Sequence, residues 1–359
     1  MITKLCLTQN KRIKKMKVII KFLSCLKTAV KWISVSIISF LVLIVFAGLV
    51  FRLFLPEPHK PLGELIDMGE YKLHIVKEGK NNNKPTLVIE GGGGLTTEFY
   101  HWLSEGLKDS IRVVRYDRIG INHSDDIDSP RDPETVARRL HSLLKKAGVA
   151  PPYIMMGHST GGPQIRVFTE LYPEEVQAMF FIDATHPDHV VRYNAPAKTS
   201  FKYKGYLASI ELQAITCDLG VFSLYDKLIG TPYYGPGLPD EMNQRIKDQF
   251  QNGKTFRTFK KETEYYYETL KRSGKKENFG DLQIRAFHAI TEDSEWKKEY
   301  DKKVNERIKL YGKHKEYHEL STNGKSIGII GNHSSIYTMR DNAVIIIKEV
   351  LEVITDLGY

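Results

Sequence analysis

The chain has 359 residues, 42% hydrophobic and 11% aromatic, with a net charge of +9. That composition suits a packed globular core and excludes a disordered or fibrous chain. The charge does not mark a nucleic-acid binder. No acidic residue precedes Glu57. Ten of the 52 basic residues do (Lys4, Lys11, Arg12, Lys14, Lys15, Lys17, Lys21, Lys27, Lys31 and Arg52), leaving 42 basic against 43 acidic residues in the remainder. The body is therefore near neutral and offers no basic stripe to track a phosphate backbone. Cysteines stand at 6, 25 and 217, so the globular part holds one and cannot close an internal disulfide. No Cys/His cluster has metal-ligand spacing, and neither metal nor cofactor is expected.

The N-terminus reads as an anchor. Ile33 to Phe51 is a nineteen-residue run without a charge, enough at about 1.5 Å per residue to cross a hydrocarbon layer of roughly 30 Å. Trp32 stands at one edge and Arg52 can snorkel at the other. Nine basic residues precede the run, so the N-terminus is expected in the cytoplasm and the body outside. The segments expected are a basic cytoplasmic stretch over 1–31, a transmembrane anchor over 32–55 and a linker over 56–64, stiffened by Pro56, Pro58 and Pro61. A secretory signal cleaved after Val45-Phe46-Ala47 is the alternative, which would release the body.

Beyond the linker, strand and helix patterns alternate. Leu65–Met68 and Tyr71–Glu78 pair across a turn, followed by short apolar strands at Thr86–Glu90 and Ile111–Asp117. Pro133–Gly148 carries Val136, Leu140, Leu143, Leu144 and Ala147 at helical spacing, with a proline to open it and a glycine to stop it. Tyr153–Met156 is a strand, Gly162–Tyr172 a helix and Ala178–Asp183 a strand. Ile284–Ile290, Ser326–Ile330 and the helix Asp341–Ile354 close the series. Alternation with apolar strands predicts an α/β fold, a mostly parallel central sheet with helices on both faces. Thr185–Asp281 interrupts it with helical pieces at Asp240–Phe250 and Thr258–Arg272. The body thus divides into a core over 65–184, a lid over 185–281 inserted before the last two strands, and a second core part over 282–359.

Gly157-His158-Ser159-Thr160-Gly161 sits between a strand and a helix. A G-x-S-x-G turn there holds serine in a strained conformation above the sheet edge, flanked by small residues. Ser159 is the expected nucleophile. His333, after the last strand, is the expected base. His158 should point away from the hydroxyl, and His186, His189, His288, His314 and His318 read as surface or lid residues. Asp293, after Ile284–Ile290, is the favoured acid; Asp183, ending the strand after the serine, is the alternative, and Glu292 beside Asp293 stays open. The oxyanion needs two N–H donors. Thr160 gives one, and Gly92 or Gly93, in the run Gly91–Gly94, gives the other. That run lacks the Lys-Ser/Thr pair of a phosphate loop.

Taken together, the stretches YKLHIVKEG, PTLVIEGGGG, VVRYDRIGINHSD, PPYIMMGHSTGG, LYPEEVQAMFFIDATHPD and GNHSSIYTMRDNAVIIIKEVLEVI resemble the α/β-hydrolase superfamily, in order and spacing. They are most similar to bacterial membrane-anchored or exported serine hydrolases, esterase- or lipase-like. The resemblance implies nucleophile Ser159, base His333 and backbone donors at Thr160 and the Gly91–Gly94 loop. Two positions depart from it: Glu90 stands where His-Gly is common, and Asn332 precedes the histidine. A serine nucleophile argues against the aspartate-dependent dehalogenases and epoxide hydrolases. The expected substrate is a small-molecule or lipid ester, read from the lid aromatics and the anchor. A peptidase or acyltransferase with the same triad, or a non-catalytic ligand-binding relative, is the alternative.

Overall fold

The computed structural model describes residues 2–80, 83–231, 235–290 and 295–359. A long helix α1 (Ile2–Arg52) leads into the body. There follow β1 (Glu64–Asp67), β2 (Lys72–Glu78), β3 (Thr86–Glu90), α2 (His101–Leu107), β4 (Val113–Tyr116), α3 (Pro133–Lys146), β5 (Tyr153–His158), α4 (Gly161–Leu171) and β6 (Val176–Ile182). Six helices come next: α5 (His189–Arg192), α6 (Phe201–Asp218), α7 (Val221–Leu228), α8 (Asp240–Asp248), α9 (Lys254–Glu264) and α10 (Tyr266–Ser273). β7 (Gln283–Ile290), α11 (Glu295–Tyr311), β8 (Gly324–Ile330), α12 (Ser335–Thr338) and α13 (Arg340–Asp356) complete the chain.

The described strands form one sheet in the order β1-β2-β4-β3-β5-β6-β7-β8. β1 and β2 pair antiparallel, as do β2 and β4; every later pairing is parallel. The period-two alternation of a strand splits the core between the two faces. Leu87, Ile89, Ile154, Met156, Phe180 and Ile182 pack on one side with α2 and α13. Val88, Met155, Met179 and Phe181 pack on the other with Leu140, Leu143 and Leu144 of α3 and Ile165 and Phe168 of α4. α3 begins as its sequence requires, with the Asp132 side chain accepting from Thr135 N–H at 3.0 Å and proline in the first turn.

Six of the described helices lie where the pattern names none: α5, α6 and α7 in the lid stretch, α12, and α2 and α11. α2 is only seven residues long, and α11 is strongly polar, with Val304 its buried apolar residue among those described. Neither shows an apolar stripe long enough to read. The expected helix over Thr258–Arg272 is two helices broken at Tyr265. Among the described residues, α1 is the one helix long and apolar enough by itself to cross a membrane; the most apolar eighteen-residue window within Ile19–Arg52 has a mean hydropathy of 2.8.

Candidate active site

The parallel strands β3, β5, β6, β7 and β8 all release their chains at the same carboxyl edge, and the expected site residues come from the segments that follow them. After β5 the chain reverses at Ser159, whose φ of +51° is unusual for a side-chain-bearing residue. Ser159 N–H donates to the Ile182 carbonyl at 3.1 Å, while its own carbonyl accepts from Gly162 N–H at 3.1 Å and Thr185 N–H at 2.9 Å. The turn is too tight for side chains around it. A β-carbon built on Gly157 would stand 2.6 Å from the Gly161 oxygen, and one on Gly161 would stand 2.3 Å from the Glu90 oxygen. The glycines of the motif are thus required by contact with β3 as well as by the turn.

His333, after β8, stands with Nδ1 at 2.6 Å from Asp183 Oδ2. Asp183 is the residue directly after β6 and has φ +40°. Its N–H donates to the Phe287 carbonyl at 2.8 Å, and its Oδ1 accepts from Ala289 N–H at 3.2 Å, so β7 clamps it. Burial works against ionisation of this carboxyl, but the hydrogen bond and charge of His333 prevail and hold it below the usual range. With Nδ1 engaged, Nε2 of His333 is left for the serine. Asp293, the acid favoured by sequence, and Glu292 beside it lie outside the described residues. The carboxylate found on His333 is the alternative, Asp183.

The oxyanion candidates separate in the same way. Gly92 N–H donates to Tyr100 Oη at 2.8 Å in the interior, so it is already committed. Gly94 N–H points to Glu262 at 3.3 Å. Gly93 N–H and Thr160 N–H have no hydrogen-bond partner among the described residues, and a β-carbon on Gly93 would lie 3.5 Å from Thr160 Oγ1. Gly93 rather than Gly92 is therefore the loop donor the geometry leaves open. Arg118, from the loop after β4, braces the loop: it donates to the carbonyls of Gly91 (2.7 Å) and Gly92 (2.8 Å), to Glu90 (2.7 Å) and to Glu262 of α9 (2.7 Å). Glu90, at the position where the family often has histidine, is thus half of a buried ion pair.

His158 does turn away from the hydroxyl, into a second network. Tyr100 Oη lies 3.1 Å from its Nδ1, and its Nε2 lies 3.3 Å from the His333 carbonyl. Burial first, and then the neighbouring His333, push His158 well below its ordinary value, so it is neutral. Because Tyr100 accepts from Gly92, its own proton goes to Nδ1 and His158 must carry hydrogen on Nε2. One relay, Gly92 to Tyr100 to His158 to His333, ties the oxyanion loop to the histidine loop. Nothing in the local sequence signals it, since its members lie 8, 58 and 175 residues apart.

Ser159, Thr160, Gly93, Asp183 and His333 line one cavity of about 690 Å³ under the helices α5, α6, α9 and α10. His186, His189 and His288, expected at the surface or in the lid, also line it, together with Tyr193, Tyr203, Tyr206, Phe259, Tyr266 and Tyr267. Its charges are internally matched: Glu262 with Arg118, Glu316 with Arg192, Asp183 with His333. Two further aromatics of the 185–281 stretch, Tyr233 and Tyr234, lie outside the described residues.

Burial pushes His189 down to about 4, helped by the Arg192 charge, and His186 likewise to about 4. In the unfolded chain a histidine titrates near about 6.5. Between those values the unfolded state binds more protons. Stability is therefore complete above about 6.5 and is lost as pH falls through the window towards 4. The melting temperature should fall steadily from pH 7.5 to pH 5, with His189 alone contributing about 2 kcal/mol of the loss at pH 5. His189→Gln should make the profile shallower; an unchanged slope would show that His189 does not titrate this way.

A mostly parallel sheet with a strained serine between strand and helix and a His–carboxylate pair at the same edge is the arrangement of the α/β-hydrolase fold. Comparison with known proteins agrees. The family profile for the alpha/beta hydrolase fold matches residues 84–206. YbdG, an uncharacterized protein of Bacillus subtilis, is 28% identical over 149 residues, 41% of this chain and 45% of that protein. A proline iminopeptidase of Clostridium botulinum is 30% identical over 123 residues, 33% of this chain and 41% of that protein. Each match thus spans less than half of the relative. The crystal structure of an enol-lactonase from Burkholderia xenovorans superposes with a TM-score of 0.52 at 14% identity, over 81% of this chain and all (100%) of the other. The chain thus has the α/β-hydrolase fold, with the family match lying over residues 84–206.

Proposed function

We propose that this protein is a membrane-tethered serine hydrolase that cleaves esters of neutral, partly apolar substrates. The observation that carries the reading is the pairing of His333 with Asp183 at 2.6 Å, at the edge of the cavity that holds the strained Ser159. His333 Nε2 takes the hydroxyl proton as Ser159 Oγ attacks the carbonyl carbon, and the oxyanion falls to the N–H groups of Thr160 and Gly93. The proton passes to the departing alkoxide, which leaves as an alcohol. Water then gives its proton to the same nitrogen, attacks the acyl-enzyme and releases the acid, and Oγ recovers its proton.

The names of the relatives point to different bonds. The cavity favours the ester. A substrate with a free ammonium group needs an uncommitted carboxylate to receive it, and Asp183, Glu262 and Glu316 are each engaged by a cation or by His333. Aromatic walls and neutral imidazoles suit an uncharged acyl chain. The charge-free run in α1 and the basic residues before it support single-span anchoring, N-terminus in the cytoplasm and the catalytic body outside.

The test is a fluorophosphonate probe on the full-length protein in vesicles, with the adduct mapped by mass spectrometry. The tryptic peptide 147–166 contains Ser159 as its sole serine and should carry the phosphonyl group. Hydrolysis of short- and long-chain esters on the same preparation gives the acyl preference. A protein that melts cooperatively yet forms no adduct would sink the hydrolase reading in favour of a ligand-binding one.

A further inference from the structure

We propose that the outer face of α6 and α7 is a second membrane contact, resting on the phospholipid surface that holds α1. This rests on the reading of α1 as a membrane span.

The span packs against the body at α7 and the turn before it, and the closest approach is between backbones. Gly48 is buried, whereas its neighbours over 19–43 are exposed. A β-carbon on Gly48 would lie 2.7 Å from the Leu219 oxygen and 2.7 Å from Val221 Cγ2. Gly220, at φ +70°, comes equally close from the other side: a β-carbon on it would lie 2.4 Å from the Gly48 oxygen. The Arg52 guanidinium donates to the Asp218 carbonyl beside them. Glycine at both positions lets two backbones touch, as at packed membrane helices. Gly48 is three residues from Phe51, the last residue of the charge-free run. At 1.5 Å per residue that is about 5 Å from its polar end. The turn joining α6 to α7 is therefore held at interfacial depth.

From that turn an apolar face runs outward. Phe201, Gly205, Ala208, Leu212 and Ile215 recur along α6 at steps of four and three, which is one side of a helix, and all are exposed. Phe201 is 91% exposed. The opposite side, Tyr203, Ile210, Ala214 and Cys217, is buried. α7, bent from α6 by 84°, exposes Leu228 (72%) and Ile229 (71%). Leu53 and Phe54 add two more exposed side chains beside the contact. In water a face like this has no cover. A bilayer supplies one, and it already begins at Gly48. Lys202, Lys204 and Lys227 are exposed on the same two helices and can reach lipid phosphates. The inner side of α6 brings Tyr203 and Tyr206 to the catalytic cavity. One helix then separates bilayer from active site, and substrates dissolved in lipid reach the serine without crossing bulk water.

Site-directed spin labelling of the full chain tests this. In a Cys6→Ser, Cys25→Ser background, with the buried Cys217 retained, single labels are placed by Leu212→Cys, Leu228→Cys, Val42→Cys in α1 and Glu352→Cys on the exposed side of α13. The protein is reconstituted in phosphatidylcholine–phosphatidylglycerol vesicles, and collisions with oxygen and with a neutral nickel chelate are measured. At 212 and 228 the oxygen-to-nickel ratio should exceed that at 352 several-fold and approach that at 42. A ratio equal to that at 352 overturns the proposal. Low collision with both reagents overturns it too, because a second protein copy then covers the face. A water-like ratio at 42 brings down the anchor reading along with it, whereas lipid-like 42 with water-like 212 and 228 removes only the present proposal.

Discussion

Ser159→Ala should lower kcat for the best ester by about five to six orders of magnitude, since removing the nucleophile leaves only positioning and oxyanion contacts. KM should change little. The folded state should not suffer: alanine keeps the β-carbon, so the strained φ of +51° is the same before and after, and the hydroxyl has no hydrogen-bond partner among the described residues. The shift in unfolding free energy should stay under about 0.5 kcal/mol. The pair of readings matters more than either alone. Activity lost with the melting curve intact assigns chemistry to the hydroxyl. Retained turnover would move the nucleophile elsewhere, and a collapsed melting curve would show Ser159 to be a structural residue of the turn.

Much of this site was legible in the sequence because its constraints are local. A strained turn demands glycines at fixed offsets, so Ser159 shows itself within five residues. The strands were readable because apolar runs of five to seven residues bounded by turns have few other uses. His333 followed from its place after the last strand. What stayed hidden was set by contacts between distant segments. Sequence cannot say which of two neighbouring strand ends aims its acid at His333, because that depends on how β6 and β7 are registered. In the fold, Asp183 sits at the very tip of β6 and is clamped by Ala289 N–H and the Phe287 carbonyl of β7. Nor could the choice between Gly92 and Gly93 be read, because Tyr100 decides it from eight residues away. His186, His189 and His288 read only as surface or lid residues for the same reason: a cavity between cap and sheet edge buries polar side chains without leaving an apolar period.

Asp183→Asn should reduce kcat by about three to four orders of magnitude, whereas Asp293→Asn should leave it within a few-fold. The reason is the tautomer. The carboxylate accepts from Nδ1–H of His333, which leaves Nε2 unprotonated to receive the serine proton. An amide in its place can turn its NH2 to Nδ1, fixing the ring proton on Nε2, where it faces the serine and cannot accept. The imidazolium formed in the transition state also loses its counter-charge. Since the His333 interaction holds the Asp183 carboxyl below its usual range, the carboxylate stays ionised throughout neutral pH. Geometry is kept because asparagine is isosteric, so KM should move far less than kcat. If Asp293→Asn proves the crippled variant, the acid comes from β7, and the short contact to Asp183 is a structural clamp on the histidine loop.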